Sequence, residues 1–176
     1  FFTGLLLALP LLDGPSAVIP TTPLESEGYI GMTLHAMYAF GVETAATCSL
    51  PPQYHILGGQ RYRPAEVTVE GDWSQAAFWL AARSLGSELE ISGLNEDSIQ
   101  GDMAVRHHAH TLSEPGDSSL DISGCPDLAP PLAVMAALRR GTTRLGNAAR
   151  LRMKESDRLT SIAAALTALG ADVEEG

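Results

Sequence analysis

Cysteine is scarce, with two in 176 residues. Cys48 and Cys125 stand far apart and in no metal-ligand spacing, so the sequence builds neither a disulfide framework nor a thiolate metal site. Two buried free thiols in a reducing cytosol are expected. Positive charge is also short: 11 Lys and Arg face 21 Asp and Glu, a formal net charge of −10. That balance argues against nucleic acid or an anionic membrane as the main partner. Long hydrophobic runs are missing too. The apolar start, Phe1 to Leu12, is too short to span a bilayer. It does not read as a signal peptide either, since no basic residues precede it and no small-residue cleavage site follows. A cytoplasmic location is therefore expected. The first residue is not Met, and an opening inside an apolar helix reads as cut from something longer.

What is present describes a globular chain. Hydrophobic residues make up 45%, with aliphatic side chains spread along the whole length, enough to bury a core in one ordinary domain or two small ones. Three stretches share a plan of apolar helix, terminal Gly, short strand, polar turn and second helix. The first is FTGLLLALPLLDG, SAVIP, TTPLESEG and YIGMTLHAMYAFG. The second is SQAAFWLAARSLG, SELEIS, GLNEDSIQG and DMAVRHHAHTL. The third is DLAPPLAVMAALRRG, TTRLG, NAARLRMKE and SDRLTSIAAALTALG. Gly14, Gly86 and Gly141 are placed as helix C-caps. Strand-like VETAAT, QYHIL and EVTVEG lie between the first two copies. Helices alternating with strands predict an α/β protein with a roughly βαβαββ repeat. A boundary within AEVTVEGD, residues 65–72, would divide the chain into 1–68 and 69–176.

Charge placement is the strongest local feature. Seven of the eleven basic residues fall between Arg139 and Arg158, against two acids, Glu155 and Asp157, leaving that stretch at about +5. A focused positive site on a negative protein suits a small anionic ligand. Helix onset near Lys154–Ser156 would put Lys154 and Arg158 on one face, one turn apart, with free N–H groups and the dipole adding to them. Glu155 is close enough to trade protons with a ligand held there. The residues alone leave a second reading open, a solvated helix start in which Glu155 pairs with Arg158. Asp127, in CPDLAP, lies in the first turn of the third copy's first helix, where it either caps the helix or accepts from a ligand hydroxyl. Nothing near Cys125 would activate it as a nucleophile. Ser26 and Tyr29 could hold a phosphate between two hydroxyls, although capping is the simpler reading. His107, His108 and His110 face different ways on a helix and lack partner ligands, so an exposed surface is expected rather than a metal site. Trp73 and Trp79 are expected in the core.

The run LRMKESDRLTSIAAALTALGADVEEG resembles the signature segment of EPSP synthases, R-x-K-E-[ST]-D-R-L followed by L-G-A-x-V. GTTRLGNAAR, CPDLAPPLAVMAAL and VEGDWSQAAFWLAA match that family in its order, and LESEGYIGMTL resembles its S-[KR]-P-Y-[IV]-x-[ML]-T turn. The opening helix resembles the one that follows the family's Ser-Ser-Gln triplet. The resemblance covers essentially the whole chain. It implies two similar domains, each of three βαβαββ units in an inside-out α/β barrel, with the active site in the cleft between them. Residues 1–68 would be the last unit of the first domain, and 69–176 the first units of the second. The reaction implied is transfer of the enolpyruvyl group of phosphoenolpyruvate to the 5-hydroxyl of shikimate 3-phosphate, by addition and elimination through a tetrahedral intermediate. No metal or organic cofactor takes part, and full-length members are usually monomeric.

By that resemblance Asp127 would contact the shikimate hydroxyls and help deprotonate the attacking one. Glu155 would exchange the proton at the enolpyruvyl carbon. Lys154 would bind shikimate 3-phosphate and share the proton traffic, and Arg158 would hold phosphoenolpyruvate. Ser26 and Tyr29 would bind the 3-phosphate. Glu27-Gly28 departs from the family's basic residue and Pro, and Arg150 stands where many members have Asn. The strands expected between Asp102 and Leu120 are shortened. The amino-terminal basic segment, the Ser-Ser-Gln triplet and the carboxy-terminal His-Arg and Lys positions are not in this sequence, so the 176 residues alone are expected to be inactive. Two other readings stand beside this one. The related transferase acting on UDP-N-acetylglucosamine shares the fold but uses a catalytic Cys loop not visible here. A non-catalytic module of the same fold would bind small anions.

Overall fold

In the computed structural model, which describes residues 1–22, 24 and 27–176, helix and sheet are mixed and the chain divides into two units, Phe1–Val69 and Glu70–Gly176. The first unit opens with α1 (Phe2–Ala8), continued by a 3-10 turn over Leu9–Leu11, then β1 (Ser16–Val18) and α2 (Glu27–Ala39). A hairpin of β2 (Thr44–Ala46) and β3 (Tyr54–Ile56) follows, its loop containing a cis Leu50–Pro51 bond. β3 lies between β1 and β2, antiparallel to both. Leu6, Ile30, Met37, Val42, Tyr54 and Ile56 form the buried core between the helices and this sheet.

The second unit contains α3 (Trp73–Ser84), α4 (Val105–Ser113), β4 (Ser118–Asp121), α5 (Ala129–Ala137), β5 (Thr143–Gly146) and α6 (Arg158–Ala168). Asp72 caps α3 by accepting from the backbone N–H of Ser74 at 2.8 Å and Gln75 at 3.3 Å. Pro130 and Pro131 enter α5 in its first turn, where a missing N–H costs no helical bond. The apolar run that follows buries Leu132 and Met135 against Trp73, Val105, Leu120, Ile122 and Leu151. β4 and β5 are parallel, paired from Ser118–Thr143 to Asp121–Gly146, and α5 is the crossover between them. No helix among the described residues is long and apolar enough to cross a membrane.

Several expectations from the sequence need correction. Gly86 does terminate α3 in the left-handed region, but Gly141 lies four residues beyond the end of α5, and Gly14 follows a 3-10 turn without a positive φ. SELEIS and EVTVEG form no ladder, and one backbone bond, Gly71 N–H to Gly93 O at 2.9 Å, joins EVTVEG to the residue after SELEIS, because alternation provides faces and a strand also needs a neighbouring edge. Trp73 is buried, with its indole N–H donating to Asn95 O at 3.1 Å, whereas Trp79 is 59% exposed. His108 is buried rather than on the surface, and Cys48 is exposed rather than buried.

Candidate functional site

The parallel pair sends its two C-terminal ends in one direction, and the loops leaving those ends carry the chemistry. After β4 the chain turns through Asp121, whose Oδ1 accepts from Ser123 N–H at 2.9 Å, and reaches Cys125, which begins a 3-10 turn over Pro126–Leu128. Asp127 sits in that turn. It caps nothing with its side chain. After β5 a 3-10 turn over Ala149–Met153 delivers Lys154 and Glu155, and α6 begins at Arg158.

That start lies later than the sequence suggested, for an identifiable reason. Asp157 is the better cap: its Oδ1 accepts from Thr160 N–H at 3.2 Å, and its carbonyl accepts from both the N–H and the hydroxyl of Ser161. Lys154 and Glu155 therefore precede the helix and do not share a helical face with Arg158. The helix end is already occupied by the Asp157 carboxylate, so the expected contribution of its free N–H groups to an anion site is corrected as well.

Four of the six expected residues nevertheless converge. Arg158 Nη1 donates to Asp127 Oδ1 at 2.6 Å, and its Nη2 donates to Glu155 Oε2 at 3.1 Å. Lys154 Nζ lies 3.7 Å from the same Asp127 oxygen. One guanidinium thus bridges two carboxylates from different loops, using the fork geometry that only arginine offers. Glu155 is 83% exposed, whereas Asp127, Lys154 and Arg158 are about two-thirds covered. Its own backbone N–H, and then Arg158, hold the Glu155 carboxyl below the ordinary glutamate range. Two cations and two carboxylates cancel, so the cluster is poised rather than positive.

The local surplus of positive charge read from the sequence is dispersed in three dimensions. Arg139 is a structural clamp: its Nε donates to Leu112 O at 3.1 Å, its Nη1 to Ser118 Oγ and Thr143 Oγ1, and its Nη2 to Glu114 O. Arg152 turns to Asp157, Glu175 and the Gly176 carbonyl. Only part of the basic run faces Asp127.

Of the remaining candidates, Ser26 lies outside the described residues, and Tyr29 is half-exposed on α2 of the first unit. That unit holds a cavity of about 580 Å³ whose walls include Thr21, Glu27, Thr47, Cys48, Leu50 and Pro51. Among the described residues its walls carry one carboxylate, Glu27, and no cation. Cys125 is buried 3.7 Å from His108 Nε2, with its thiol pushed up to about 11 by burial, then by Asp102 and Asp121, so it stays protonated at neutral pH. Among the described residues no group of three His, Cys, Asp or Glu side chains is placed to hold a metal ion. Sequence reasoning missed Asp121 and Asn147, joined between the two loops. A clue was the LeuGlyAsn that closes the third copy's strand, because Asn tolerates left-handed backbone.

A family model described as EPSP synthase (3-phosphoshikimate 1-carboxyvinyltransferase) matches residues 1–176. The 3-phosphoshikimate 1-carboxyvinyltransferase of Clostridium kluyveri is 41% identical over 190 residues, covering 99% of this chain and 44% of its own. The proteins of that name from Clostridium acetobutylicum and Clostridioides difficile are each 42% identical, over 99% of this chain and 44% and 43% of theirs. The chain spans less than half the length of the curated relatives it matches.

Proposed function

The chain belongs to the EPSP synthase family, and from that premise we propose that it carries part of the site that moves the enolpyruvyl group of phosphoenolpyruvate to the 5-hydroxyl of shikimate 3-phosphate, in the cytoplasm. Residues 1–68 serve as the last βαβαββ unit of one barrel domain and 69–176 as the opening of the other. The observation that carries the reading is the meeting of Lys154 and Arg158 on Asp127 Oδ1, with Glu155 on the same guanidinium.

The chemistry follows from exchanging partners. Both substrates are anions, and their phosphate or carboxylate oxygens can replace protein carboxylates on Lys154 and Arg158. Glu155 gives up least, being the most exposed of the four. Asp127, relieved of a cation, accepts the proton of the attacking hydroxyl as its oxygen bonds to the enolpyruvyl carbon bearing phosphate. The neighbouring methylene takes a proton to become methyl. Breaking the carbon–oxygen bond to phosphate and removing a methyl proton then restores the double bond. Glu155 is the group for both proton steps at that carbon. Ionised now, it gains affinity for a proton once substrate takes Arg158 from it, so that it can deliver one to the methylene and then take one back from the methyl. Ser26 and Tyr29 of the first unit would take the 3-phosphate.

Calorimetric titration of shikimate 3-phosphate into the chain tests this reading. With part of the clamp present, binding near a Kd of ~1 mM is expected, about −4 kcal/mol. The Lys154→Ala, Arg158→Ala double variant should weaken it at least about tenfold. Absence of binding, or equal binding by the double variant, would refute the assignment.

A further inference from the structure

The two halves of the cluster arrive on different loops, so something must set one against the other. The ladder between β4 and β5 ends at Asp121 and Gly146, with one further bond from Ile122 N–H to Gly146 O at 3.2 Å. Just beyond it, Asn147 Nδ2 donates to Asp121 Oδ2 at 2.8 Å. The other oxygen of that carboxylate holds Ser123 N–H, so Asp121 fixes the start of its own loop while gripping the next. Asp127 lies six residues past Asp121, and Lys154 seven past Asn147.

The backbone gives a second reason to notice Asn147. Its φ is +58°, and no other non-glycine among the described residues has a positive φ. Glycine would adopt that conformation without a Cβ penalty. A side chain retained there calls for a use, and the contact with Asp121 supplies one. We propose that Asp121 and Asn147 are a positioning pair, clamping the loop after β4 to the loop after β5 so that Asp127 meets Lys154 and Arg158. This rests on the cluster being the substrate site.

The test asks whether the pair acts on the cluster or merely adds stability. A double-mutant cycle of Asp127→Ala and Arg158→Ala, read from urea midpoints of the 176-residue chain, gives the coupling between those side chains. A coupling of roughly threefold in the unfolding equilibrium constant is expected, as for other part-exposed pairs. Repeating the cycle on Asn147→Gly, which keeps the left-handed backbone and removes only the side chain, should abolish the coupling. Asp121→Ala should do the same. The exchange Asp121→Asn with Asn147→Asp reverses donor and acceptor and should restore it. An undiminished coupling in Asn147→Gly, or no recovery in the exchange, overturns the positioning role. A coupling missing from the unsubstituted chain would leave the pair nothing to position and overturn the inference, while the proposed function stands or falls on the calorimetric titration.

Discussion

At Asp127 a single carboxylate oxygen serves two cations, and the side chains competing for those cations are all polar and reachable by solvent. Contacts of this kind contribute little to stability and exchange readily for ligand oxygens. His108 is the opposite case. Its ring is buried on α4 beside Cys125, with His107 and Asp121 the charged or titratable groups acting on it. Burial, and then His107, lower its pKa below the ordinary histidine value of 6.5, while Asp121 pulls the other way. The sign of the consequence is fixed. Above 6.5 His108 is neutral whether the chain is folded or not, and its burial is free of this cost. As pH falls below 6.5 the unfolded chain takes up a proton that the folded chain resists, so stability declines. The depressed carboxyls of Asp72 and Asp157 add their own losses only as pH falls below the usual carboxylate range. We therefore expect thermal midpoints to drop between pH 6.5 and 5, and His108→Leu to flatten that slope. An unchanged slope in the variant would place the sensitivity elsewhere.

At the scale of elements, glycine shows what could and could not be read from the chain. Gly41, Gly86 and Gly170 end α2, α3 and α6 in the same way. In each, the glycine N–H and the next N–H return to carbonyls of the last turn, as with Gly86 N–H to Arg83 O and Ser87 N–H to Ala82 O. Helix followed by Gly was legible because the requirement is local. Gly141 looks identical in sequence and is not. Its φ is +104°, and a Cβ there would meet Gly116 O at 2.4 Å, whereas a Cβ on Gly86 would meet open space. Gly86→Ala should cost ~1 kcal/mol for the backbone alone, and Gly141→Ala ~3 kcal/mol or more once the clash is added. Urea midpoints of the two variants check this, and equal losses would contradict the close approach. Strands were less legible for the same reason that Gly141 was misread. SELEIS carries the alternation of a strand, but pairing is set by a distant neighbour, which no local pattern encodes. The site divided along that line too. The residue types in CPD and KESDR pointed to ion chemistry, while the late start of α6 depended on Asp157 outcompeting its neighbours as a cap, and the fate of Arg139 and Arg152 depended on partners far along the chain.

For the whole molecule the question is how much of a reaction four side chains can support. Lys154 and Arg158 are balanced by Asp127 and Glu155, so the cluster presents no net charge with which to hold the two anionic substrates proposed for it. A transfer of this kind needs both substrates fixed with the hydroxyl near the enolpyruvyl carbon, and positioned charges lose effect out of proportion when members of a set are missing. The chain matches only 44% of the Clostridium kluyveri protein. Weak capture of shikimate 3-phosphate is therefore compatible with no catalysis, because binding one ligand loosely does not orient the second. Phosphate release from phosphoenolpyruvate, followed in the presence of shikimate 3-phosphate and the purified chain, should not exceed the rate without protein. Turnover that disappears in Glu155→Gln would overturn this expectation, since it would mean that the Asp127 cluster alone suffices to bring both substrates together.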